Sequence, residues 1–152
     1  MIQIDQIKKL REKTGFGVMD VRRALDNSKG DEKAAIELLK KWGIEKSEKK
    51  ADRETKAGII DGYIHGEGKV GVLLEIHCET DFVARTAEFK KLAHELCLQI
   101  SSMNPKDVKI LLTQEYIRDP GFKIADLVKQ TSGKLGENIV VSRFTRFRLG
   151  EI

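Results

Sequence analysis

Between Val70 and Glu79 the chain alternates. Val70, Val72, Leu74, Ile76 and Cys78 form one set, with Gly71, Leu73, Glu75, His77 and Glu79 between them. A period of two predicts a β-strand with one buried face. Further on, Phe89, Leu92, Ala93, Leu96 and Ile100 recur at helical spacing, which predicts a helix packed on that strand. The change of period forces a corner, and the corner is Glu79-Thr80-Asp81-Phe82-Val83-Ala84-Arg85. Thr80 or Asp81 is placed to accept from the backbone N–H groups of the first helical turn and so stiffen it. Phe82 stands seven residues before Phe89, nearly two turns, so periodicity favours a place on the same buried face as a core plug. Thr86 offers a second N-cap, and a separate short turn over 81–85 would aim Phe82 elsewhere. From the residues alone both arrangements stand.

The surroundings of this corner read as one domain over residues 58–152. Ile60, Gly62 and Ile64 alternate with Ile59, Asp61, Tyr63 and His65, and Gly66-Glu67-Gly68-Lys69 turns the chain back into the Val70 strand, an antiparallel hairpin. The Phe89 helix is expected to end near Ser101-Ser102, before Asn104-Pro105. Val108, Ile110, Leu111 and Leu112 suggest a short helix, and Asp119-Pro120-Gly121 a turn. A further helix carries Ile124, Leu127 and Val128 and is expected to close at Gly133. The β-branched and aromatic run 137–147 reads as a third strand. The order β-β-α-α-β predicts an α+β fold, a small antiparallel sheet with helices on one face.

Residues 1–45 read as a three-helix module. Ile4, Ile7 and Leu10 form the first stripe, closed by Gly15; Val18, Val21, Ala24 and Leu25 form the second, closed by Gly30. Asp31 is placed as the N-cap of the third, in which Ala34, Ala35, Leu38, Leu39 and Trp42 face inward and Gly43 is the expected stop. In the link Gly15-Phe16-Gly17-Val18-Met19, Phe16 and Met19 either form a protein-docking patch or close the small core. Residues 46–57 are almost purely charged and read as a solvated connecting helix or linker.

The function classes narrow by what these residues can do. The 28 basic residues are interleaved with 24 acidic ones, so the net charge of +4 does not demand a nucleic acid. Cys78 and Cys97 belong to no CxxC pair, and the first residues lack an apolar leader, so a reducing, cytoplasmic setting without a membrane anchor is expected. His77 and Cys78, adjacent in a strand, point to opposite faces and do not form a nucleophile–base pair. No spacing suits a metal, and the glycines match no phosphate-binding fingerprint, so no cofactor is expected. A hydrolase built on His77, Glu79 or Asp81 is the weak enzymatic reading; protein binding is the stronger one.

Two long motifs then point to a family. Leu10 to Asp20, with Arg23-Ala24-Leu25, Gly30-Asp31 and Ala34-Ala35-Ile36-Glu37, resembles the N-terminal module of elongation factor Ts. Glu75 to Arg85 is similar to that family's central signature, and Gly136-Glu137-Asn138-Ile139 to its later strand entry. The resemblance implies an N-terminal bundle like a ubiquitin-associated domain. It also implies a guanine-nucleotide exchange factor, without covalent chemistry, for GDP-bound elongation factor Tu. By resemblance Arg11, Val18 and Met19 take the positions that dock on the nucleotide-binding domain of Tu. Thr80, Asp81, Phe82 and Val83 look like the wedge that displaces Mg²⁺ so that GDP leaves. Phe16 stands where a small residue is common and Val18 where methionine is frequent. The duplicated core half, coiled coil and C-terminal module of long members do not fit between Ile139 and Ile152, so the chain resembles a short form. Short forms imply a homodimer, hence a 2:2 complex, with strand 138–147 the expected place of pairing. The alternative is an adaptor that uses its ubiquitin-associated-type module on another protein.

Overall fold

The computed structural model describes residues 2–152. Three helices come first: α1 (Ile4–Thr14), α2 (Val18–Asn27) and α3 (Glu32–Glu48). Gly15 ends α1 in the left-handed region at φ 75°, and its N–H donates to the Arg11 carbonyl. The Asp31 side chain caps α3 by accepting from the Ala34 N–H at 3.3 Å. Leu10, Val21, Ala24, Leu25, Ala35 and Leu39 are buried together between the three. Trp42 closes one side under the Arg23 guanidinium, 3.9 Å above its ring.

The second part is built on the hairpin β1 (Ala57–His65) and β2 (Val70–Cys78), paired from Ala57↔Cys78 to His65↔Val70. The last strand, β5 (Val140–Arg148), pairs antiparallel with the other side of β2, giving the sheet order β1-β2-β5. Between β2 and β5 come α4 (Asp81–Ala84), α5 (Ala87–Met103), α6 (Val108–Thr113), β3 (Glu115–Tyr116), β4 (Asp119–Lys123) and α7 (Ile124–Leu135). The architecture is the expected α+β fold, with the helices on one face of a small antiparallel sheet. Val72, Leu74, Ile76 and Cys78 point from β2 into a core shared with Phe89, Leu96 and Ile100 of α5. In β1 the inward set is Ile59 and Tyr63, while Ile60 and Ile64 face outward and are exposed.

Three details differ from the expectations. The helix α3 does not stop at Gly43 but runs to Glu48, and α7 does not close at Gly133 but continues to a left-handed Gly136, φ 76°. The two glycines are the point where these helices cross, because a Cβ on Gly133 would overlap the Gly43 carbonyl group. The third difference lies at Asp119-Pro120-Gly121, which belongs to strand β4 rather than a turn, with Asp119 paired to Tyr116 of β3. Gln99, fully buried on α5, organises that small ribbon: its amide donates to the Glu115 carbonyl at 3.0 Å and accepts from the Ile117 N–H at 3.0 Å.

Candidate partner-docking site

The corner after β2 is made by two threonine caps in succession. Thr80, in extended backbone, accepts from the Val83 N–H at 3.3 Å and starts the four-residue α4. Thr86 accepts from the Phe89 N–H at 3.2 Å and starts α5, while its own hydroxyl donates to the Val83 carbonyl at 2.7 Å. The helical path therefore restarts between Arg85 and Ala87. Had it run unbroken, Phe82 would have followed Phe89 onto the buried face; instead Phe89 is fully buried and Phe82 is 76% exposed. The core-plug reading of Phe82 is corrected by that break. Val83 and Ala84 are the residues of the short helix that enter the core. Thr80, Asp81 and Phe82 are presented to solvent, and Val83 anchors them from beneath.

Hydrogen bonds from the far end of the chain hold the corner in place. The backbone N–H groups of Glu79 and Thr80 both donate to Oε1 of Glu137, at 3.0 Å each, and the Thr80 hydroxyl donates to Oε2 at 2.7 Å. Beneath them the Cys78 thiol donates to the Thr80 carbonyl at 3.2 Å. Burial pushes that thiol above its ordinary pKa, and the nearby Glu137 carboxylate adds to the shift.

Of the residues of the hydrolase reading, His77 and Asp81 line one open cleft with Glu75, and Glu79 does not line it. His77 commits Nε2 to Glu75 at 2.6 Å, on the outer face of the sheet. The Glu75 carboxyl is held below the usual range by that bond first and by Arg143, 3.0 Å away, second. Glu79 instead accepts from the Asn138 N–H at 2.7 Å. Among the described residues no cluster of three His, Cys, Asp or Glu side chains could hold a metal ion, and no helix is long and apolar enough to cross a membrane.

The second group of predicted residues flanks the link between α1 and α2. Arg11 is exposed near the end of α1, and Val18 and Met19 open α2 beyond Gly17, with Met19 73% exposed. Phe16 does not join them. It is 5% exposed, packs in the core of the three-helix bundle, and carries the Lys134 ammonium 4.8 Å from its ring. The docking-patch reading of Phe16 is thus corrected, since the left-handed Gly15 turns the chain so that residue 16 faces inward.

Periodicity missed Glu137. Nothing in its local pattern marks a residue that bonds to a corner 57 and 58 positions away.

The chain also matches known proteins. Residues 79–152, beginning at this corner, match the family described as Elongation factor TS. Over its full length the chain is similar to elongation factor Ts of Thermotoga neapolitana, 42% identical over 193 aligned positions that take in 99% of this chain and 98% of the relative. It is similar to the same factor of a Thermoanaerobacter species at 39% identity, with 99% and 96% covered. Against that of Thermotoga maritima it is 41% identical, with 99% and 97% covered. The alignments are longer than the chain's 152 residues, so these relatives carry positions without a counterpart here. With identity of this extent over 99% of its length, the chain belongs to the elongation factor Ts family and is a translation elongation factor.

Proposed function

We propose that this chain is the guanine-nucleotide exchange factor for elongation factor Tu, acting in the cytoplasm on the GDP-bound form. The observation that carries this reading is Phe82: a large aromatic left 76% exposed on a capped corner whose neighbours Val83 and Ala84 are buried. Arg11, Val18 and Met19 dock the N-terminal module on the nucleotide-binding domain of Tu. Asp81 and Phe82, held by Thr80 and Val83, press into Tu beside its Mg²⁺ and phosphate site. Mg²⁺ bridges phosphate oxygens and protein ligands, and much of the affinity for GDP rests on it. A surface that binds only the distorted, Mg²⁺-free state favours that state by its differential affinity. Each tenfold loss of GDP affinity needs about 1.4 kcal/mol of coupling, and burying one phenylalanine supplies roughly 1.5–3 kcal/mol. Coupling is reciprocal, so incoming nucleotide weakens the complex and expels the factor. The factor makes and breaks no covalent bond and needs no cofactor, nucleic acid or membrane.

The finer assembly we propose is a homodimer forming a 2:2 complex with Tu. It is supported by the outer face of the sheet, where Ile60, Ile64, Leu73 and Phe147 are all exposed.

The test is release of labelled GDP from Tu, with wild type and Phe82→Ala side by side. Because Phe82 is exposed, Phe82→Ala is expected to fold with stability within about 0.5 kcal/mol of wild type. Its exchange activity is expected to fall by about ten- to a hundredfold. A folded Phe82→Ala variant with undiminished exchange would remove the wedge, and capture of another protein by the N-terminal module would then favour the adaptor reading.

A further inference from the structure

The corner that presents Phe82 is held from outside its own stretch of chain. Gly136, left-handed at φ 76°, ends α7 and delivers Glu137 alongside the end of β2. The Ser132 hydroxyl donates to the Glu137 carbonyl at 2.6 Å and fixes the backbone there. From this position one carboxylate takes the Glu79 and Thr80 N–H groups and the Thr80 hydroxyl proton.

That last bond matters for the cap. A threonine hydroxyl has a single proton, and giving it to Glu137 leaves only lone pairs to face the Val83 N–H. The hydroxyl is therefore held in its accepting orientation, and the charge on its acceptor strengthens both bonds.

The exchange runs both ways. Glu79 accepts from the Asn138 N–H at 2.7 Å, so residues 79–80 and 137–138 bind each other reciprocally. Asn138, itself buried, donates its amide protons to the Ala51 carbonyl at 3.2 Å and the Arg53 carbonyl at 2.8 Å. The chain leaving α3 is thus tied to the same junction, with the Arg53 guanidinium 3.7 Å from the Glu79 carboxylate.

We propose that Glu137, with Asn138, is a positioning clamp for nucleotide exchange: it touches no partner and acts through Thr80 to hold Phe82 in its presented orientation. This rests on the exchange reading above. Without the clamp, the corner must be ordered at the moment Phe82 engages, and that cost falls on the distorted complex. Docking through Arg11, Val18 and Met19 is untouched. The maximal rate of GDP release should therefore drop while the factor concentration at half-saturation stays nearly unchanged.

The experiment uses Glu137→Gln in the full chain, alone and combined with Phe82→Ala, in the GDP-release assay with Tu. Glutamine keeps the shape but loses the charge and one acceptor. The expected result is about a tenfold lower maximal rate for the single variant, and no further loss when it is added to Phe82→Ala. Equal losses in both backgrounds, or a rate equal to wild type, would overturn the clamp. If wild type itself fails to speed GDP release, the exchange reading falls and this inference with it. Amide hydrogen exchange on the wild-type protein gives a reading that needs neither Tu nor a variant. The Glu79, Thr80 and Val83 amides should be protected like those of the β2 interior, and rapid exchange there would overturn the clamp even if Glu137→Gln does not fold.

Discussion

Gly43 of α3 and Gly133 of α7 meet backbone to backbone, so that a methyl group on Gly133 would overlap the Gly43 carbonyl. Two bare backbones let the helices approach closely, and α3 thereby belongs to both parts of the molecule. Its first turns bury Ala35 and Leu39 in the N-terminal bundle, and its later turns, through Gly43 and Ser47, lie against α7. Arg11, Val18 and Met19 of α1 and α2 and the corner at Phe82 are therefore joined through a packed helix crossing as well as through the chain between them.

Gly133→Ala should destabilise the protein, against the helix-propensity trend. In an open helix interior this change gains about 1 kcal/mol. Here the added carbon meets backbone that cannot move aside, and overpacking of this kind costs about 1–3 kcal/mol or more. Thermal unfolding should show a midpoint lowered by about 2–4 °C for each kcal/mol lost. Gly43→Ala, whose Cβ would find its nearest neighbours at 3.3 Å and 3.4 Å, should cost less. An unchanged or raised midpoint for Gly133→Ala would show that the helices separate freely.

The outer sheet face sets the expected oligomeric state. Phe147 lies opposite Gly71 and Ile64 opposite the other side of that glycine, so the two large side chains flank a bare strand position, with Leu73 beside them. Light scattering at micromolar concentration should give a dimer for wild type and a monomer for Leu73→Asp, since a carboxylate on this face must be desolvated for two copies to meet. A wild type that stays monomeric at high concentration would refute the 2:2 complex.

Cys97 predicts a pH dependence. It is completely buried on α5, and burial, with a smaller contribution from the Asp61 charge, pushes its thiol up to about 12. In the unfolded chain the same thiol ionises at about 8.5. Above that value the unfolded state releases a proton that the native state keeps, so this group lowers stability as pH rises from about 8.5 towards about 12, and contributes no slope below. Urea midpoints of wild type and Cys97→Ala at about pH 8 and about pH 10 should converge as pH rises. Parallel midpoints would contradict the burial effect. Thiol reagents should modify Cys78 and Cys97 only on unfolding, as both are buried.

The legible parts of the fold are those where one local pattern had one solution. The alternation in β2, the Gly66–Lys69 turn, the Gly15 cap and the Asp31 cap all lie where they are expected, because each depends on residues within a few positions. Where two solutions shared a pattern, neighbours in space chose. Gly43 and Gly133 carry the mark of helix ends, yet each serves as the other's point of contact. Asp119-Pro120-Gly121 has the composition of a turn, yet Gln99, in the later turns of α5, holds its region as a two-stranded ribbon.

The candidate site divides in the same way. By itself the sequence determined that a stiff corner stands between β2 and α5, because strand period, helix period and threonine caps are local properties of the chain. Only the tertiary structure decided which side chains that corner offers. Val83 and Ala84 fit the space above the sheet, so Phe82 is left outside, and Phe16 is drawn in under Lys134 while Met19 is left out. Glu137 reaches the corner only because β5 pairs with β2 and brings the end of the chain beside its middle. Burial and long-range hydrogen bonds depend on which surfaces meet, and no stretch of sequence read on its own contains that information.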